Sequence, residues 1–255
     1  MNGFQAFLSK EVREILRTWR IWVIPGITVF FALTGPVLAR FTPEIIGSLM
    51  AGQSTGVTIG LPDPTYVDAD LQWTKNLSQI VLFVMIIACG GLISAEKKAG
   101  TASLVLAKPL SRSSFVLAKF IAASALLIAS TLLGALLTWG VTYAIFPEAP
   151  LGPLPGATGT RLAFALLFVA LLELQSAAMD SQSAAVGLGF GAYALLGIGA
   201  LWGPLARYSP CGLLGVPAEI VTVSADSVFW PIAVSLMIAF ALVGLAVAVF
   251  RHREL

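Results

Sequence analysis

Glu173 lies inside a long apolar run, residues 160–179, where a carboxylate is costly unless it faces protein or water. At 1.5 Å per residue it sits about 18 Å along a helix from Arg161 and about 10 Å from Asp180. Glu173, Ser176 and Asp180 fall roughly on one helical face, with Gln175 beside them. Two roles suit such a group. It is a polar patch on the inner half of a pathway that touches a substrate or a cation, or Glu173 pairs with a basic residue of the loop at 96–115 or reaches the interface. Other chemistry is sparse. The sole histidine is His252, so no His/Cys spacing describes a zinc site and no metal ligation is expected. A nucleophile with its base is likewise missing, which argues against an intramembrane enzyme. No catalytic residue is therefore assigned.

The elements that must hold these groups are membrane helices. The 255 residues are 58% hydrophobic and only 11% charged, with a mean hydropathy of +0.91. Soluble domains are about 45–50% apolar and about 25% charged. Lipid must solvate most of the chain. Six apolar stretches approach the roughly 20 residues that cross about 30 Å of hydrocarbon. They are residues 21–39, 76–95, 116–146, 160–179, 184–202 and 228–250. The predicted fold is all-α and integral to the membrane, as a single domain over residues 1–255. Residues 40–75 read as a long polar loop with a short helix near 43–50, residues 147–159 as a rigid Pro/Gly loop, and 180–183 as a tight polar turn. Another short helix is expected at 217–222.

Ahead of the spans, residues 3–20 form an amphipathic pattern. Phe4, Phe7, Leu8, Val12, Ile15, Leu16 and Trp19 recur at three- and four-residue steps. Lys10, Glu11, Arg13, Glu14, Arg17 and Arg20 fill the other face. Basic residues opposite Phe, Leu and Trp suit a helix lying in the membrane interface, with Phe7, Val12, Arg13, Leu16, Arg17 and Trp19 as its interfacial residues. Placing the N-terminus inside puts 11 of the 15 Lys and Arg residues on the inside and 4 outside, so both termini are expected in the cytoplasm. The net charge of +2 is too small to suggest nucleic acid. Cys89 falls in a span and Cys211 in an outside loop, so a disulfide between them is not expected. Gly187, Gly189, Gly191, Gly197 and Gly199 in the fifth span read as helix-packing positions, as do Gly90 and Gly91 in the second. Trp19, Trp22, Trp73, Trp202 and Trp230 read as interfacial anchors.

Between the second and third spans, residues 96–115 form a charged elbow. Glu96, Lys97 and Lys98 mark the exit of the second span, and Gly100-Thr101 breaks and restarts the helix. A short amphipathic helix over 101–107 then stops before Pro109, which disfavours helical backbone at Lys108. Ser111 caps the next helix. The pattern Glu-basic-basic-x-Gly-Thr, an apolar run, Lys-Pro-apolar-Ser-Arg and a further Lys resembles the ATP-binding-cassette exporter permeases of the type-two family. The matching residues are Glu96, Gly100, Thr101, Pro109, Ser111, Arg112 and Lys119. The interfacial helix, the six spans and Tyr208-Ser209-Pro210 before the last span fit as well.

That resemblance implies a permease subunit in a bacterial or archaeal inner membrane, whose elbow and N-terminal helix contact an ATPase subunit. It also implies a second permease protomer, identical or not. A P-loop needs Gly-x-x-x-x-Gly-Lys-Ser/Thr, and no lysine here directly follows a glycine. ATP and Mg would therefore bind the partner ATPase and no cofactor this chain. The competing class is a secondary transporter with Glu173 or Asp180 as the ion-coupling site. Against it stands the lack of an evident inverted repeat.

Overall fold

The computed structural model describes residues 3–51, 62–106, 110–222 and 228–253. Helix α1 (Gly3–Arg17) lies ahead of α2 (Arg20–Ala51). The second crossing is segmented into α3 (Tyr66–Asn76), a π-helical turn (Leu77–Val81) and α4 (Leu82–Cys89). Two short helices, α5 (Ser94–Lys98) and α6 (Thr101–Leu106), make the elbow. Then follow α7 (Arg112–Ile145), α8 (Pro153–Ala178), α9 (Gln182–Gly199), α10 (Gly203–Tyr208), α11 (Val216–Val221) and α12 (Phe229–His252), with a 3₁₀ turn at Pro210–Leu214. Among the described residues there is no strand, and six helical stretches are long and apolar enough to cross a membrane. The all-α membrane architecture expected from hydropathy is therefore present.

The crossings are longer than hydropathy alone suggests. The expected loop at 40–75 is largely helix, because α2 runs on through Arg40, Thr42 and Pro43 to Ala51. Phe41, Ile45 and Ile46 extend its apolar exterior, and the Thr42 hydroxyl donates to the Leu38 carbonyl at 2.6 Å. On the return, Thr65 and Asp68 form a capping box that starts α3 ten residues before the expected span. Asp68, Asp70 and Trp73 are therefore helical. Pro153 occupies the first turn of α8, where its missing N–H costs least, so the supposed rigid loop is shorter by half.

The core forms where α7 and α8 meet α4 and α12. Phe115, Phe164, Phe168, Phe250, Met85 and Ile86 are fully buried there. A Cβ on Gly90 would lie 2.4 Å from Val186 and one on Gly91 would lie 2.7 Å from Gln182, so these two glycines admit α9 against the second crossing. In α9 itself only Gly189, against Leu172 and Ile86, and Gly199, against Cys211, are packed within the chain. Gly187, Gly191 and Gly197 face open space. Cys89 and Cys211 are both buried free thiols. Trp19, Trp22, Trp202 and Trp230 are exposed as interfacial anchors should be, but Trp73 is wholly buried and donates to the Thr158 hydroxyl at 3.1 Å. Its indole N–H finds a protein partner instead of the headgroup layer.

Candidate functional site at the charged end of the bundle

One end of the bundle gathers α1, the elbow, the start of α7, the α8–α9 corner and the end of α12. Its centre is Lys119, whose side chain is only 2% exposed. The ammonium donates to Glu11 Oε2 and to Glu96 Oε1, both at 2.9 Å. Lys10 closes the group with contacts to Glu96 at 3.1 Å, Glu11 at 3.0 Å and Glu14 at 2.6 Å. Three segments separated in sequence are thus tied by two ammonium groups and three carboxylates. Buried charges need this reciprocity, since a single one left unpaired is strongly unfavourable. Oxygens of Glu11, Glu14 and Glu96 converge within 4.8 Å, and two ammonium groups serve these three carboxylates.

Glu11 corrects the sequence reading of α1. It sits at four-residue steps between Phe7 and Ile15 and is buried with them, not on the charged face. The apolar stripe divides. Phe7 and Ile15 dock on the bundle, while Val12, Leu16 and Trp19 point outward with Arg13 and Arg17. An acid at the centre of a helix's apolar stripe was the signal available in the sequence, because it requires a basic partner elsewhere.

An aromatic ladder supports the ion pairs. Phe7 stacks on Phe115 at 5.2 Å and Phe115 on Phe250 at 5.1 Å, joining α1, α7 and α12. The Lys119 and Lys10 ammonium groups lie 5.1 Å and 5.3 Å from the Phe115 and Phe7 ring centres. Partial burial alone would lower the Lys10 pKa, yet its bonds to Glu14 and Glu11 raise it above the ordinary 10.5. Burial likewise pushes Glu14 upward, but its bond from Lys10 holds it below the ordinary 4.5.

A second knot fastens the elbow to the α8–α9 corner. Lys97 donates to the carbonyls of Ala177 at 3.0 Å and Met179 at 2.6 Å and to Asp180 at 3.0 Å. Arg253 donates to the same Asp180 oxygen at 2.8 Å and to the Ala178 carbonyl. Cations suit the exposed carbonyls at a helix C-terminus. Asp180 lies on the exposed side of this corner, and the Lys97 bond holds its carboxyl below the ordinary 3.8. Ser176 accepts from the N–H groups of Ile93 and Ser94 at 2.9 and 2.8 Å, which satisfies the backbone where the second crossing breaks before α5. A polar cleft of about 390 Å³ opens beside it, lined by Ser94, Lys98, Asp180, Ser181, Gln182 and Ser183 among others.

The elbow residues singled out by sequence behave in distinct ways. Gly100 has φ +70°, a left-handed conformation that favours glycine, between α5 and α6. Thr101 opens α6 and donates to the Glu96 carbonyl at 3.2 Å. Pro109 lies outside the described residues. Ser111 caps α7, accepting from the Ser114 N–H at 3.1 Å. Arg112 reaches the end of α12, donating to the carbonyls of Phe250, Arg251 and Arg253 at 3.2, 2.9 and 2.6 Å. Glu96, Arg112 and Lys119 are therefore the structural joints of the elbow. Glu173, Ser176 and Asp180 meet different neighbours: Ser176 binds the elbow backbone, Asp180 is exposed between two cations, and Glu173 is wholly buried in the membrane interior.

The model of the ABC-2 family transporter proteins matches residues 5–207, from α1 through α10. The chain belongs to the ABC-2 transporter family. The match takes in both partners of the charged cluster, the N-terminal helix and the elbow, together with five of the six crossings. No curated protein matches the chain. An ABC-2 chain is a membrane-spanning transporter component and not itself an ATPase.

Proposed function

We propose that this chain is the permease subunit of an ATP-driven exporter, working as a dimer and moved by a separate ATPase subunit that docks on the elbow and α1. The observation that carries this reading is the Lys119 centre. It joins the N-terminal helix, the elbow and the third crossing in one buried ionic unit. A partner pressing on the elbow from the cytoplasmic side, where the excess of Lys and Arg places it, moves α1 and α7 with it. Glu96 ties the short elbow helix to α7, and Arg112 passes the same displacement to the end of α12. Closing of the paired ATPase subunits on ATP would then shift the membrane dimer between inward- and outward-open arrangements.

The test is reconstitution with an ATP-binding-cassette ATPase that co-purifies with this chain. The wild type should form a complex and change the ATPase rate, whereas Glu96→Lys or Arg112→Glu should abolish that change. Unchanged complex formation and ATP hydrolysis in both variants would refute the docking role. Ion-gradient-driven transport without any ATPase would instead favour a secondary transporter. The position of Asp180, exposed and already held by Lys97 and Arg253, gives that alternative little support.

A further inference from the structure

Glu173 is the one acid in the described residues that is wholly buried with no side chain bonded to either carboxylate oxygen. Its helix, α8, packs directly on α7, which carries Lys119. The groups that act on Glu173 across that contact are Lys119, the backbone N–H of the adjoining Phe120, and Glu11. Lys119 is 2% exposed and spends its ammonium on Glu11 and Glu96, while the second Glu96 oxygen is itself buried and unpaired. A buried lysine thus has two carboxylates engaged, while a third, on the neighbouring helix, is bonded to no side chain.

We propose that Glu173 is the alternate acceptor of Lys119, taken up when the elbow withdraws Glu96. A carboxylate without a partner in this setting is expensive, and so is a lysine deprived of one. The two costs cancel if the lysine side chain turns from Glu96 to Glu173. Lysine suits such an exchange, being a compact charge on a flexible four-carbon stem. The elbow would then have two discrete positions, each with Lys119 paired and a different carboxylate left over. A two-position element of this kind is what converts a displacement at the elbow into a change of helix packing between α7 and α8. The exchange is a property of this chain alone. Its use in transport rests on the coupling role proposed above.

The experiment uses the full chain, purified in detergent without any ATPase, and compares thermal midpoints. In the wild-type background Glu173→Gln should leave Tm unchanged or raise it, because it removes an unpaired acid. In the Glu96→Gln background the same substitution should lower Tm by about 2–4 °C, because Lys119 is then left with Glu11 alone. Adding Lys119→Met to that background should abolish the penalty. Should the Glu96→Gln chain fail to fold, Glu11→Gln supplies the alternative background with the same expected sign. An effect of Glu173→Gln that is identical in both backgrounds, or that survives Lys119→Met, overturns the proposal. Neither outcome depends on whether an ATPase binds, so the exchange and the coupling role fail separately.

Discussion

The two ends of the bundle are held together by different physics. At the charged end, α1, the elbow and α7 meet through Lys119, Glu11 and Glu96, and the corner of α8 and α9 through Lys97, Asp180 and Arg253. At the opposite end, α2, α3, α7 and α8 meet through shape. Trp73 fills a notch made by Gly134, where a Cβ would come within 2.5 Å of the ring and 2.7 Å of Thr28. Ala32, Leu77, Val81 and Leu154 pack round it, and Arg161 anchors the 3₁₀ turn through the carbonyls of Leu213 and Leu214 at 2.9 and 3.0 Å. Close packing has one arrangement and resists sliding. Ion pairs with more carboxylates than cations have several near-equivalent arrangements. The charged end is therefore the part suited to move, and the Trp73 end the part suited to stay.

That contrast breaks most severely at Lys119. Lys119→Met leaves Glu11 and Glu96 with Lys10 alone, and losing one partner of a buried ionic set costs up to about 3–5 kcal/mol. The expected result is a chain that loses its monodisperse peak or melts far earlier, with recovery when Glu11→Gln and Glu96→Gln are added. Full stability of the single variant would show that the centre is ornamental. At the other end the largest effect is smaller. Gly134→Ala drives a methyl into Trp73 and Thr28, an overpacking worth about 1–3 kcal/mol. Gly187→Ala, with nothing within 4 Å of the new methyl, should leave the melting temperature of the single chain unchanged. Trp73→Phe loses the bond to Thr158, about 0.5–1.5 kcal/mol, and with it the outer indole atoms that fill the notch. Each is read as a shift in thermal midpoint, and a Gly134→Ala penalty no larger than that of Gly187→Ala would show that the notch is not closely packed.

How far each end was legible in the sequence follows from the same contrast. Hydropathy located six crossings because their signal is local, and Ser111 was recognisable as a cap because the bond it accepts is three residues away. The Thr65 and Asp68 capping box was just as local and lay unread inside a stretch taken for loop. Glu11 reads as polar-face by its charge; its four-residue step between Phe7 and Ile15 marks it as inward, but the partner that makes this possible, Lys119, lies 108 residues on. Trp73 was assigned to the interface because composition cannot say whether an indole near a span end meets lipid or a glycine notch on another helix. The charges and the glycine of the elbow mark a break between the second and third crossings, but which of its residues reach α12 or α1 depends on the bundle.

The smallest expected effect tests whether the charged end is adjustable throughout or only at Lys119. Asp180 is exposed, and Lys97 first and Arg253 next hold its carboxyl below the ordinary 3.8. A depressed carboxylate contributes stability that is fully present above its unfolded value and disappears as pH falls through its native one. The tie at the α8–α9 corner should thus be intact at neutral pH and lost only below pH 3.8. Exposure to solvent screens the interaction, so the global midpoint should hardly respond. The response belongs in the local opening of residues 179–183, followed by hydrogen exchange with Asp180→Asn as the comparison. At neutral pH the variant should exchange faster there than the wild type, and the difference should close as the wild type is acidified. Even then the corner should not open fully, because Lys97 also holds the carbonyls of Ala177 and Met179, which do not titrate. A difference that persists unchanged below the native pKa would mean that Asp180 shapes the corner by something other than its charge, and that adjustability is confined to the buried centre.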